Sequence, residues 1–156
     1  MKRTFAAALL GATALTLVTG AGVAHAGGKS TGCGAAFNQA VQAYRQTTFA
    51  KDAAGFNALL AEDVTAIFAN GSTLYGKDET AAFITDFFAD PEWTQTLDVV
   101  RETRQGCQSG FVLFDSVYTP SPEAAPVPLA IGVTFVHTGG RWLVIQNQDS
   151  DGPVTR

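Results

Sequence analysis

The sequence predicts an α+β domain, with helices first and an antiparallel sheet after them. Three observations predict it. Apolar residues recur at helical spacing between Gly34 and Phe88, and four runs between Trp93 and Gln148 are rich in β-branched and aromatic residues. The length left after an amino-terminal leader suits one core and one layer of helices on a sheet.

The leader is read from its three parts. Met1-Lys2-Arg3 is basic, Phe5 to Val23 is apolar, and Ala24-His25-Ala26 has the small-x-small form of a signal peptidase site. Residues 1–26 are expected to be an export signal, 27–36 an amino-terminal segment, 37–150 the folded domain and 151–156 a polar tail. Residues 5–23 could instead anchor the chain in a membrane, but their Gly, Ala and Thr content argues against a span. Cys33 follows the polar Gly27–Gly32 stretch, which argues against a lipid anchor. The expected location is extracellular or in the cell envelope, with no membrane attachment after cleavage. Losing Lys2 and Arg3 moves the formal charge from −4 to −6, eight basic against 14 acidic residues, which excludes a basic nucleic-acid binder.

Cys33 and Cys107 are the only cysteines. In an oxidising compartment a single disulfide is the economical reading, and closing so long a loop restricts the unfolded chain by about 4 kcal/mol. A redox pair is the other reading, and its cysteines would normally lie much closer in sequence.

Phe37, Val41 and Tyr44 draw a stripe on a helix over Gly34–Arg45. Asp52 is placed to cap a second helix, Ala53–Ala61, carrying Phe56, Leu59 and Leu60. Val64–Phe68 reads as a strand, Asn70-Gly71 as a turn and Thr73–Tyr75 as its partner. Asp78–Phe88 is the third helix, burying Phe83, Phe87 and Phe88. Trp93–Arg101, Gly110–Tyr118, Leu129–His137 and Arg141–Gln148 are the strands, the last two joined as a hairpin by Thr138-Gly139-Gly140. Thr119–Pro128, with four prolines in ten residues, is a stiff loop.

Both faces of that hairpin are apolar. One carries Ile131, Val133 and Phe135 with Trp142 and Val144; the other carries Gly132, Thr134 and Val136 with Leu143 and Ile145. Helices can cover one face, so a homodimer through the other is expected. The alternative is that Pro120–Pro128 folds back over it.

Ala61-Glu62-Asp63-Val64, Tyr75-Gly76-Lys77-Asp78 and Gly140-Arg141-Trp142-Leu143-Val144, in that order, resemble the nuclear-transport-factor-like superfamily. The chain is most similar to its SnoaL-like and SgcJ/EcaC-like branches and to the association domain of calcium/calmodulin-dependent kinase, over Phe37 to Ser150. The resemblance implies a cone-shaped cystatin-like fold: helices on a bent sheet around an apolar cavity, usually dimeric through the outer sheet face. It directs Tyr44, Phe68, Gly132, Thr134, Ile145 and Asn147 to the cavity wall as ligand-binding positions.

The ketosteroid isomerases of this superfamily use a carboxylate base, a tyrosine and a protonated second acid. Tyr44, 19 residues before Asp63, matches the tyrosine; Phe68 stands where the base would be and Gly132 where the second acid would be. That chemistry is therefore not expected. His137 is the only histidine after cleavage, and no Gly-x-Ser-x-Gly elbow occurs. The chain has too few zinc ligands, and Asp149-Ser150-Asp151-Gly152 is only a fragment of a calcium loop, read as part of a polar tail. No metal is expected. No nucleotide or flavin motif is present, so no cofactor is expected either. Two carboxylates remain as weak catalytic candidates with Tyr44. Asp115 shares a strand face with Phe111, Leu113 and Val117, where it could be perturbed, be paired with an arginine or be solvated. Asp149 follows Leu143, Ile145 and Asn147 on the face the resemblance makes inner, opposite Tyr44.

The expected function is small hydrophobic-ligand binding, or a scaffold, without catalysis. The alternatives are an isomerase- or cyclase-type enzyme of the SnoaL-like or SgcJ/EcaC-like kind acting on a polyketide-like substrate, and a protein-association module.

Overall fold

In the computed structural model, which describes residues 30–155, the first helix, α1, spans Ser30–Ala50. The export-signal reading of residues 1–26 lies outside the described residues. Phe37, Val41, Tyr44 and Thr48 form the buried stripe of α1. The helix runs beyond both predicted ends. Its first turns are tied to the β-sheet by the Cys33–Cys107 disulfide, with Cα atoms 5.6 Å apart. Near its other end Thr48 turns its hydroxyl back to the Tyr44 carbonyl at 2.8 Å.

Asp52 caps α2 (Ala53–Asn57), accepting the Gly55 N–H at 2.9 Å as predicted. The helix is shorter than Ala53–Ala61 because the Leu59 carbonyl accepts the Val144 N–H at 2.7 Å. That bond draws Leu60 and Ala61 into strand β1 (Leu60–Ile67), so sheet pairing overrides their helical spacing. Asn70 and Gly71 turn the chain into β2 (Thr73–Tyr75), with Gly71 at a φ of 83° and the Asn70 side chain accepting the Ser72 N–H. Helix α3 (Gly76–Ala89) follows, and Glu79 accepts the Tyr75 N–H at its start.

The sheet is completed by β3 (Thr94–Gln95), β4 (Asp98–Gln105), β5 (Ser109–Thr119), β6 (Val127–Thr138) and β7 (Arg141–Asp151). The single strand expected over Trp93–Arg101 is thus two pieces, both paired with β5. The order is β2-β1-β7-β6-β5, with β3 and β4 on the far edge. All pairs are antiparallel except β1 with β7, which is parallel. The expected α+β architecture, a cystatin-like curled sheet over its helices, is present.

Packing fills the narrow end of the cone. Phe37 of α1 meets Phe135 and Trp142 edge-on, and Tyr44 stacks on Phe114 with ring centroids 5.8 Å apart. The Phe37 ring lies so close to the Gly110 backbone that no Cβ fits there.

A β-bulge then decides which residues face inward. Phe135 pairs with Val144 but Thr134 pairs with Gln146, so Ile145 is an extra residue in β7. Trp142 and Val144 point to the core before the bulge, and Asn147 and Asp149 do so after it. Leu143, Gln146 and Gln148 therefore face outward. This corrects the expected inner row of Leu143, Ile145, Asn147 and Asp149, of which only the last two are inner. Gly132 and Thr134 also lie outside, on a shallow groove with Phe111, Gln146 and Gln148. Their assignment to the cavity is overturned, because the inward phase of β6 is taken by Ile131, Val133 and Phe135. Nor do Asp149 and Asp151 belong to a polar tail, since β7 continues through both.

Candidate functional site

Along the inner side of β7 the residues change from apolar to polar toward the wide end of the cone: Trp142, Val144, then Asn147, Asp149 and Asp151. On β6 the matching row passes from the aromatic Phe135 to the aliphatic Val133, Ile131 and Leu129. Side chains that fill the narrow end give way to shorter ones, and space opens beneath α3 and the β1–β2 turn. That space is a cavity of about 450 Å³ lined by Phe68, Ala69, Asn70, Phe83, Phe87, Gln95, Tyr118, Val127, Leu129, Asp149 and Asp151. A smaller chamber of about 80 Å³ lies deeper, reaching Tyr44, Thr48, Phe56, Ile84, Phe88 and Ile131. Phe68, Phe83, Phe87, Gln95 and Asp149 line both.

One polar chain crosses this apolar wall. Tyr44 Oη donates to Asn147 Oδ1 at 2.7 Å, and Asn147 Nδ2 donates to Asp149 Oδ1 at 2.9 Å. The amide is thereby fixed, oxygen to the phenol and nitrogen to the carboxylate. Burial pushes the Tyr44 phenol far above its ordinary range, and the Asp149 charge pushes the same way. Burial also raises the Asp149 carboxyl, with the Asn147 hydrogen bond opposing it. Tyr118 at the mouth is raised by desolvation and then by Asp90. The Tyr44 proton is committed to Asn147, so Asp149 is the group positioned to meet a ligand: a half-buried carboxylate that can accept a hydrogen bond or a proton.

The structure thus brings together Tyr44, Phe68, Asn147 and Asp149 of the predicted site. Gly132 and Thr134 are on the opposite face, and Ile145, the bulged residue, lines neither chamber. Asp115 accepts the Val154 N–H at 3.1 Å from the carboxy-terminal segment and lines neither chamber. It ties down backbone and does not enter the cavity. His137 packs on the Trp142 ring. Sequence reasoning missed Phe83 and Phe87 as wall residues, reading them as core, although Phe83 is 37% exposed. It also missed Gln95, Tyr118, Leu129 and Asp151. The polar residues ending β7 were a usable signal for Asp151. Among the described residues no group of three His, Cys, Asp or Glu side chains could hold a metal ion, and no helix is long and apolar enough to cross a membrane.

Solved structures share this fold at low sequence identity. A domain of unknown function with a cystatin-like fold from Nostoc punctiforme superposes with a TM-score of 0.67 at 15% identity, covering 80% of each chain. An NTF2-like protein of unknown function from Pseudomonas putida gives 0.65 at 20% identity, covering 79% of this chain and 89% of that one. A ketosteroid isomerase-like protein from Erwinia carotovora atroseptica gives 0.64 at 16%, covering 75% and 94%. No curated protein matches the sequence. Residues 41–145, from the middle of α1 to the bulge in β7, match the SnoaL-like domain family, and the chain belongs to that family.

Proposed function

We propose that this protein is exported, dimerises through its outer sheet face and binds a small, largely apolar molecule in the cone. The observation that carries the reading is the two-chambered cavity, apolar over most of its wall, with its polar groups gathered around Asp149. Export is supported by the leader-like residues 1–26 and by the Cys33–Cys107 disulfide. Dimerisation is supported by Phe111, Leu113, Val136 and Leu143, half-buried apolar residues on a sheet face that no helix among the described residues covers. Native mass spectrometry of protein recovered from its own culture medium reads all three together. The expected species starts near Gly27, has twice the subunit mass and carries a ligand; a monomer with an intact leader and nothing bound would count against each part.

Binding itself is tested with the neutral fluorescent probe phenylnaphthylamine. Saturable binding is expected, and Ala69→Trp, which projects a large ring into the outer chamber, should weaken it about tenfold or more by filling the space. Equal affinity for both proteins would place the probe elsewhere.

A second reading, proton transfer on the bound molecule, is favoured by the raised Asp149 carboxyl alone. Turnover abolished by Asp149→Asn, with binding retained, would support it over simple binding.

A further inference from the structure

Among the described residues the cavity has aromatic walls and carboxylates but no basic group. Asp149 and Asp151 are the only described charged residues lining its two chambers, and Phe68, Phe83, Phe87 and Tyr118 supply the rings. Asp149 accepts the Asn147 amide on Oδ1, and among the described residues its other oxygen has no protein partner. We infer that the molecule held in the cone is an amine, its protonated nitrogen against Asp149 and its hydrocarbon part against the aromatic wall. The inference rests on the binding function proposed above and gives that ligand a charge.

Each class of ligand meets the same wall differently. An anion adds like charge beside Asp149 and Asp151. A neutral molecule displaces water from the carboxylate without replacing the counter-charge, and burial already disfavours the ionised form of Asp149. A protonated amine relieves that burden and makes a charge-assisted hydrogen bond to the unpartnered oxygen. The rings add to the same preference, because an aromatic face attracts a cation. The aromatic cluster already shows this on its far side: the Lys51 ammonium sits 4.3 Å from the Trp93 ring centre, and Trp93 stacks on Phe87 at 4.5 Å. Phe87 continues the same stack to Phe83, at 5.6 Å, into the cavity wall.

Calorimetric titration of the purified protein with phenylbutylamine, phenylbutanol and phenylbutyrate tests the assignment, since the three share a hydrocarbon and differ in charge. The amine should bind at least about tenfold more tightly than the alcohol, and the acid most weakly. In Asp149→Asn the amine should lose its advantage over the alcohol, while alcohol binding that is retained or tightened reports an intact cavity. Asp151→Asn, at the mouth, should cost the amine less. Equal binding of amine and alcohol, or an amine preference that survives Asp149→Asn, overturns the inference and leaves the binding function standing. Failure of all three to bind overturns both.

Discussion

Replacing both Cys33 and Cys107 with serine should lower the stability of the domain by about 4 kcal/mol and its Tm by about 15 °C. The bond closes a loop with a sequence separation of 74, so the unfolded chain without it regains the freedom that joining the two ends of that loop removes. In the folded state the loss falls on the first turns of α1, which Cys33 pins to the β4–β5 turn. Phe37 packs on the Gly110 backbone one helical turn further on, and its position depends on that anchor. Urea unfolding of the oxidised protein, the reduced protein and the double variant checks the expectation. The latter two should agree, with a lower midpoint than the oxidised form. A midpoint that does not move on reduction would mean that the helix end contributes nothing and that the unfolded chain is not constrained by the bond.

The fold could be read from the sequence wherever one local rule governed an element. The stripe of Phe37, Val41 and Tyr44, the Asp52 cap and the Asn70-Gly71 turn are each decided by residues within a few positions of one another. The second helix was overextended because Leu59 and Leu60 suit either state, and the choice is made by Val144, a strand partner far along the chain. The bulge at Ile145 was invisible for a related reason: nothing in Leu143 to Asn147 marks an extra residue, and the register with β6 reveals it. Alternation counted from Leu143 as an inner residue still put Asn147 and Asp149 inside, because the wrong starting face and the missed bulge cancel. Positions transferred by counting along β6 had no such second error to correct them, and Gly132 and Thr134 were misplaced. The Tyr44–Asp149 pair was legible as a juxtaposition, but Asn147 as the bridge between them was not, since that depends on where the bulge sets its side chain.

Asp149→Asn should make the protein more stable at neutral pH, and the gain should vanish in acid. Burial raises the Asp149 carboxyl above its unfolded value, so below the unfolded pKa of about 4 the group is protonated in both states and favours neither. As pH rises through the window between the unfolded and folded values, the unfolded chain releases a proton that the folded chain still holds. Stability therefore falls across that window and stays reduced above it. Asparagine keeps an oxygen to accept the Asn147 amide, never ionises, and so escapes the loss. The expected difference is several degrees in Tm at pH 7, where about 1 kcal/mol is worth roughly 4 °C in a domain of this length. Tyr44 stays neutral over the whole range because its own phenol is pushed upward, and Asp151 at the mouth is common to both proteins. Thermal scans of the two proteins from pH 3 to pH 8 give the difference curve directly. A constant gap would show that the substitution acts through packing, and a less stable variant at pH 7 would show that the carboxylate is held by partners the cavity does not reveal. A gain at neutral pH accompanied by loss of the amine preference would mean that the fold tolerates a half-buried charge because the ligand needs it.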